Sequence, residues 1–197
     1  MIPLQPGDKN DLASLTPEGT THVVAGLGWV PAPAPGFFAS LFGQGKTIDL
    51  NLVCLVFDAE GNMIANTTGA NMIFGDGSIQ HTGDDKIGTG SGDDEQVFVA
   101  PEKIPDQAKH LVFAMHSTSG HTFSEIHGIT CRITAFPGDT EILRYTLPEK
   151  DRMKAHLIAS MSRSENGWVL QAIGESIFAR TPEEYREMAR KHLGLNT

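Results

Sequence analysis

Five carboxylates and four glycines crowd into one short run of this chain, His81-Thr82-Gly83-Asp84-Asp85-Lys86-Ile87-Gly88-Thr89-Gly90-Ser91-Gly92-Asp93-Asp94-Glu95. Like charges packed this closely destabilise a chain unless water, salt or a bound cation neutralises them. Calcium binding is the chemistry that such a run suits. Calcium takes about six to eight oxygens at flexible distances, with carboxylates supplying charge and backbone carbonyls completing the shell. Gly88, Gly90 and Gly92 let the backbone turn sharply, so that carbonyls can point inward. Carboxylates at both ends of such a turn can wrap a hard cation.

The rival chemistries fit less well. Lys86 and Gly88 stand where an EF-hand needs alternate oxygen ligands. A repeat-type calcium roll needs tandem copies, and one copy is visible. No Gly-Lys-Ser/Thr closes the loop as in a phosphate-binding loop, and its carboxylates would repel phosphate. Magnesium-assisted phosphoryl transfer would need a phosphate-holding cation, for which Lys86 alone is thin support. Zinc prefers Cys and His, and only His81 borders the loop. A solvated acidic turn stays open as the plain alternative.

Two other clusters invite chemistry. His116, His121, Glu125 and His127 could be read as zinc ligands, but Thr118-Ser119-Gly120 reads as a loop between the first two, and polar loop and strand residues account for the group. Ser117-Thr118-Ser119-Gly120-His121 lacks a nucleophile elbow and an identifiable acid partner.

The elements that must hold the acidic run read as β. Short β-branched or alternating runs recur between Gly, Pro, Asn and Asp: residues 22–28, 47–57, 63–65, 71–74, 96–99, 111–117, 126–136, 141–147, 156–162 and 168–173. Turn signals at Asp58-Ala59-Glu60-Gly61-Asn62, Pro137-Gly138-Asp139 and Glu165-Asn166-Gly167 fall between them. The expectation is an all-β fold: a β-sandwich of two antiparallel sheets with a C-terminal α-helix. The helix is signalled by Thr181-Pro182-Glu183-Glu184, with Tyr185, Met188, Ala189 and Leu193 at helical spacing and Gly194 to close it. Its apolar stripe reads as a packing face. The division expected is a sandwich over residues 1–178 and a helix over 179–197.

A Pro-rich arm with three phenylalanines interrupts the rhythm between residues 31 and 45. It is either a loop tucked onto the sandwich or an exposed patch in which Phe37, Phe38, Leu41 and Phe42 meet a partner. Cys54 and Cys131 sit in apolar strands and read as reduced core thiols, and Trp29 and Trp168 as core or rim aromatics. The net charge of −9 disfavours nucleic acid and anionic membranes, and no apolar run is long enough to span a bilayer. With no signal-peptide pattern, the reading is cytoplasmic.

At its acidic loop the sequence resembles the TerD family of tellurium-resistance and stress proteins. That family's hallmark is His-Thr-Gly-Asp-Asn followed by Gly-x-Gly-x-Gly-Asp-Asp-Glu, matched from His81 to Glu95 with Asp85 in place of Asn. Leu4 to Leu12, Gly26-Leu27-Gly28-Trp29, Ile48-Asp49-Leu50-Asn51, Leu143 to Leu147 and Trp168 to Gly174 resemble further family segments in the same order. The resemblance implies a β-sandwich holding one or two calcium ions where the acidic loop meets the strand carrying Asp49 and Asn51. The ligands it implies are Asp49, Asn51, Asp84, Asp85, Asp93, Asp94 and Glu95, with backbone oxygens near Gly88 and Gly90. It also implies a non-enzymatic role in tellurium resistance and stress response. Asn51 replaces an aspartate of the family pattern, which weakens the case for a second ion. Val30, the Pro/Phe arm and the C-terminal helix are further departures. The functional expectation is a calcium-binding protein that works through other proteins, with self-association left open. The alternatives are a metal-dependent hydrolase using the same loop, with His81 as base, and a scaffold module in which calcium is structural.

Overall fold

Val23, Ala25, Leu27 and Trp29 alternate with His22, Val24, Gly26 and Gly28, and a period of two puts the first set on one face of an extended strand. The computed structural model describes residues 3–30, 48–85, 88, 92–179 and 181–195. Over those residues it turns this and similar runs into β1 (Lys9–Asp11), β2 (His22–Val30), β3 (Leu50–Phe57), β4 (Met63–Thr67), β5 (Ile73–Phe74), β6 (Ile79–His81), β7 (Glu95–Val99), β8 (His110–Ser117), β9 (His127–Phe136), β10 (Thr140–Thr146), β11 (Ala155–Ser164) and β12 (Gly167–Ile177). Two helices accompany them, α1 (Leu12–Leu15) and α2 (Pro182–His192).

The strands form two sheets by antiparallel pairing, ordered β1-β12-β11-β8-β3-β4 and β10-β9-β2-β7-β6-β5. This is the β-sandwich expected. The sequence reading missed β1 and β6. Lys9, Asn10 and Asp11 are all exposed, so β1 shows no apolar phase and exists because its backbone pairs with Val169 to Gln171 of β12.

The main core lies between the sheets. Leu50, Leu52, Cys54 and Val56 of β3 belong to one apolar cluster with Val23, Ala25, Leu27 and Trp29 of β2 and Val97 and Val99 of β7. The alternate residues of β3, Val53, Leu55 and Phe57, belong to a second cluster on the outer face of the first sheet. Tyr185 and Ala189 of α2 cover that face, with Met188 and Leu193 packed at its margin. The helical stripe is therefore a packing face, and it shares a core with the sandwich. Thr181 caps the helix by accepting from the Glu184 backbone N–H at 3.3 Å, a contact worth about 1 kcal/mol. Cys54 and Cys131 are free and buried, and Trp29 and Trp168 are core residues. No helix among the described residues is long and apolar enough to cross a membrane.

Candidate functional site

The acidic run begins on β6 and ends on β7, so its two ends are neighbours in the second sheet. Along β7, Glu95, Val97 and Val99 are buried while Gln96 and Phe98 are less so. Glu95 therefore points into the core, fully buried, instead of toward the loop. Its carboxylate accepts from the Leu52 backbone N–H at 2.7 Å and from the Asp85 backbone N–H at 3.3 Å. His81, also buried, has Nδ1 accepting from the Gly83 N–H at 3.0 Å, which leaves the proton on Nε2. Nε2 then donates to the Leu52 carbonyl at 3.0 Å and lies 3.5 Å from the Glu95 carboxylate.

These two side chains do the work of a missing strand. β4 pairs with β3 only from Cys54 onward, so Leu52 has no backbone partner on that side. A buried, unpaired peptide group costs about 1–3 kcal/mol, and here both its halves are satisfied. The first and last residues of the acidic run thus bolt one sheet to the other. Burial raises the Glu95 pKa above the ordinary carboxyl range, while hydrogen bonds from His81, Leu52 and Asp85 pull it back.

Asp94 continues the pairing of β7 with β2. Its N–H donates to the Leu27 carbonyl at 2.8 Å, and its carboxylate accepts from the Trp29 N–H at 2.9 Å. Asp93 turns the other way, onto the outer face of the second sheet. There Arg132 Nε approaches its two oxygens at 2.9 and 3.1 Å, Arg132 Nη2 donates at 2.9 Å and Gln96 Nε2 donates at 3.0 Å. The carboxylate lies directly over Gly26, where any Cβ would collide with it. At Gly28 a Cβ would come within 2.7 Å of the Gly92 carbonyl oxygen.

Gly88 of the loop lies near Trp29. Asp85 Oδ1 accepts from the Gly88 N–H at 3.0 Å, and Gly88, at φ +62°, sits against the Trp29 indole with no room for a Cβ. Asp84 packs against Gly69, where a Cβ would come within 2.6 Å of its own. Asp49 and Asn51 lie elsewhere. Residues 49 and 51 are in phase with Val53 and Leu55, so they belong to the outer face of the first sheet. Asn51 Nδ2 donates to Asp49 Oδ1 at 2.8 Å and to Thr118 Oγ1 at 3.1 Å. Gly90 and the arm residues Phe37, Phe38, Leu41 and Phe42 lie outside the described residues.

Of the candidate ligands, Asp84 and Asp85 at one end of the loop, Asp94 at the other and Gly88 between them form its rim by position in the chain. Asp93 is held by Arg132, Glu95 faces the core, and Asp49 and Asn51 sit on the far face of β3. Among the described residues no cluster of three His, Cys, Asp or Glu side chains is gathered as a ready metal site. The rim set fits a hard cation by chemistry, since it offers oxygen alone on a glycine-bent backbone. Asp93, Glu95, Asp49 and Asn51 are each engaged by protein partners in this arrangement.

Sequence reasoning missed Arg132, Gln96 and the Leu52 peptide, and gave Gly26 and Trp29 no part at the loop. The alternation of β7 could have shown Glu95 in phase with Val97 and Val99. Nothing local could have paired Arg132 with Asp93, which are 39 residues apart. The histidine cluster is explained by turns: His121 Nδ1 meets Ser119 Oγ at 2.8 Å, and Glu125 accepts from the Thr122 N–H at 2.7 Å. Exposed His127 lies 3.7 Å from Glu149. Ser119 in turn accepts from the Asp49 N–H at 3.2 Å, a turn contact.

This two-sheet sandwich is the TerD type of fold. The model of the TerD domain matches residues 1–181, and the chain belongs to that family. It is 30% identical over 178 residues to tellurium resistance protein TerZ of Serratia marcescens, covering 89% of this chain and 92% of the relative. It is 33% identical over 189 residues to stress response protein SCP2 of Bacillus subtilis, covering 88% and 92%. Among solved structures, SAV2460, a protein of unknown function, superposes with a TM-score of 0.72 at 20% identity, over 87% of this chain and 98% of that one. A TerD homologue from Streptomyces coelicolor gives 0.69 at 16% identity, over 85% and 96%. The match to the family model ends at residue 181, just before α2.

Proposed function

We propose that this chain is a calcium-binding, non-enzymatic member of the tellurium-resistance and stress-response family that acts through contact with other proteins. One ion is held at the loop rim by Asp84, Asp85, Asp94 and neighbouring backbone carbonyls. The observation that carries this reading is the double anchoring of the loop. Glu95 and His81 tie its ends to Leu52, and Asp94 ties it to Trp29, so acidic residues of the rim are held at one end of the sandwich. Carboxylates crowded into so short a run of chain cost stability that a divalent cation returns. A stoichiometry of one follows from the turn of Asp49 and Asn51 toward the opposite face. The ion would stiffen the loop as a contact surface.

The test is calorimetric titration of chelator-stripped protein with calcium, beside melting curves. The expected result is one ion per chain. At calcium a hundredfold above Kd the gain is about 2.7 kcal/mol, which raises Tm by roughly 5–10 °C for a chain of this size. No binding heat together with an unmoved Tm overturns the reading.

A further inference from the structure

Trp29, in the main core near the end of β2, connects the two ends of the acidic run. Its backbone N–H donates to the Asp94 carboxylate at 2.9 Å. Its indole lies against Gly88, where a Cβ would come within 2.5 Å of Nε1. The Gly88 N–H in turn donates to Asp85 Oδ1 at 3.0 Å. A line of contacts therefore runs from Asp94 through Trp29 and Gly88 to Asp85. Only a residue without a side chain admits the ring this closely, and the φ of +62° at Gly88 also favours glycine.

The indole carries one group that these contacts leave over. Trp29 is 4% exposed, and its Nε1–H is buried with no hydrogen-bond partner among the described residues. The chain's other tryptophan is not left so, since Trp168 Nε1 donates to the Pro101 carbonyl at 3.3 Å. A buried donor without an acceptor costs free energy, and native structures keep few of them. An indole N–H donates only and offers no lone pair to a metal. Toward a cation it can act only through an oxygen that touches both. The adjoining loop supplies oxygens, and carboxylates that ligate metals are themselves held by outer hydrogen bonds. Trp29 already holds Asp94 from one end of the run. Drawing an oxygen of the other end onto its indole adds to the crowding of charge, a cost that a divalent cation removes.

We propose that Trp29 is the positioning residue of the calcium loop, its indole N–H fixing a loop oxygen whose other contact is the ion. This rests on the calcium reading above and gives a part to a side chain outside the candidate ligands. The backbone of Trp29 sets the Asp94 end of the loop, and its ring sets the Gly88 end. Because the ring is buried, the position it imposes is as rigid as the core around it.

The test uses the full chain, isotopically labelled at its tryptophan indole nitrogens, stripped with chelator and titrated with calcium by NMR beside calorimetry. Two indole resonances are expected from two tryptophans, and Trp168→Phe assigns them. Trp168 is the internal control, since it borders a cavity with Thr20 and Thr21, just ahead of the opposite end of β2. The Trp29 indole proton should move downfield in step with the binding heat while the Trp168 proton stays. Trp29→Phe keeps a ring in the core and removes the N–H, and it should weaken calcium binding about tenfold or more. Trp168→Phe should leave the affinity unchanged. Melting curves in chelator show whether each variant is folded, and if Trp29→Phe is not, the resonance of the parent protein decides. Calcium heat with an unmoved Trp29 resonance, or with undiminished affinity in Trp29→Phe, overturns this proposal and leaves the calcium reading standing. Absence of calcium heat in the parent protein overturns both.

Discussion

Asp93→Asn should weaken the protein as much in chelator as in calcium. The Asp93 side chain is 7% exposed and the Arg132 side chain 16%, so water contributes little to their pairing. Asparagine keeps one acceptor, but its amide hydrogens face the guanidinium. Breaking a buried ion pair costs about 3–5 kcal/mol. Arg132 retains Asp139 at 2.9 Å, though that carboxylate is 63% exposed, so the expected loss is reduced to roughly 2–3 kcal/mol. For a chain of this length that is a fall in Tm of about 4–12 °C. The assay is urea and thermal unfolding of both proteins in EDTA. A second variant makes the reasoning sharper. Gly26→Ala puts a methyl where the Asp93 carboxylate lies and should cost a similar amount. In Asp93→Ala the space above Gly26 is vacated, so the double variant Gly26→Ala/Asp93→Ala should lose clearly less than the two losses added together. If Asp93→Asn leaves apo stability within about 0.5 kcal/mol, or if the double loss is additive, Asp93 is not a structural anchor and the geometry argued above fails.

Glu95→Ala should cost about 3 kcal/mol in chelator, because it strands the Leu52 N–H and opens a cavity beside His81; a loss confined to calcium-loaded protein would make Glu95 a ligand instead. His156 is held neutral by burial, its pKa lowered to about 4 with Asp151 opposing the shift. Depression of a histidine means the stability it confers is whole above its ordinary range near 6.5 and drains as pH falls toward 4, in all roughly 3 kcal/mol at about 1.4 kcal/mol per pH unit. Urea midpoints at pH 7 and 4.5 should therefore diverge more in the parent than in His156→Gln, and equal falls would contradict this. Calcium titration completes the set.

Patterns of short range were legible. The period-two runs announced most of the strands, and Thr181-Pro182-Glu183-Glu184 announced the helix, because strand alternation and helix capping are written within a few residues. The acidic run was equally plain as a motif. What its members do was not. Five neighbouring carboxylates look alike on paper, yet one faces the core, one is clamped by an arginine and three stay at the rim.

By itself the sequence determined the family, the two-sheet sandwich, the capped helix and the position of the acidic loop, since each rests on residue type and local spacing. Only the tertiary structure decided that His81 and Glu95 complete the Leu52 peptide, that Arg132 captures Asp93, and that Asp49 and Asn51 turn toward the helix side. Those outcomes depend on which strand ends short, which glycine leaves room, and which face each residue takes once the sheets are stacked. Such choices are settled by the burial of groups far apart in the chain.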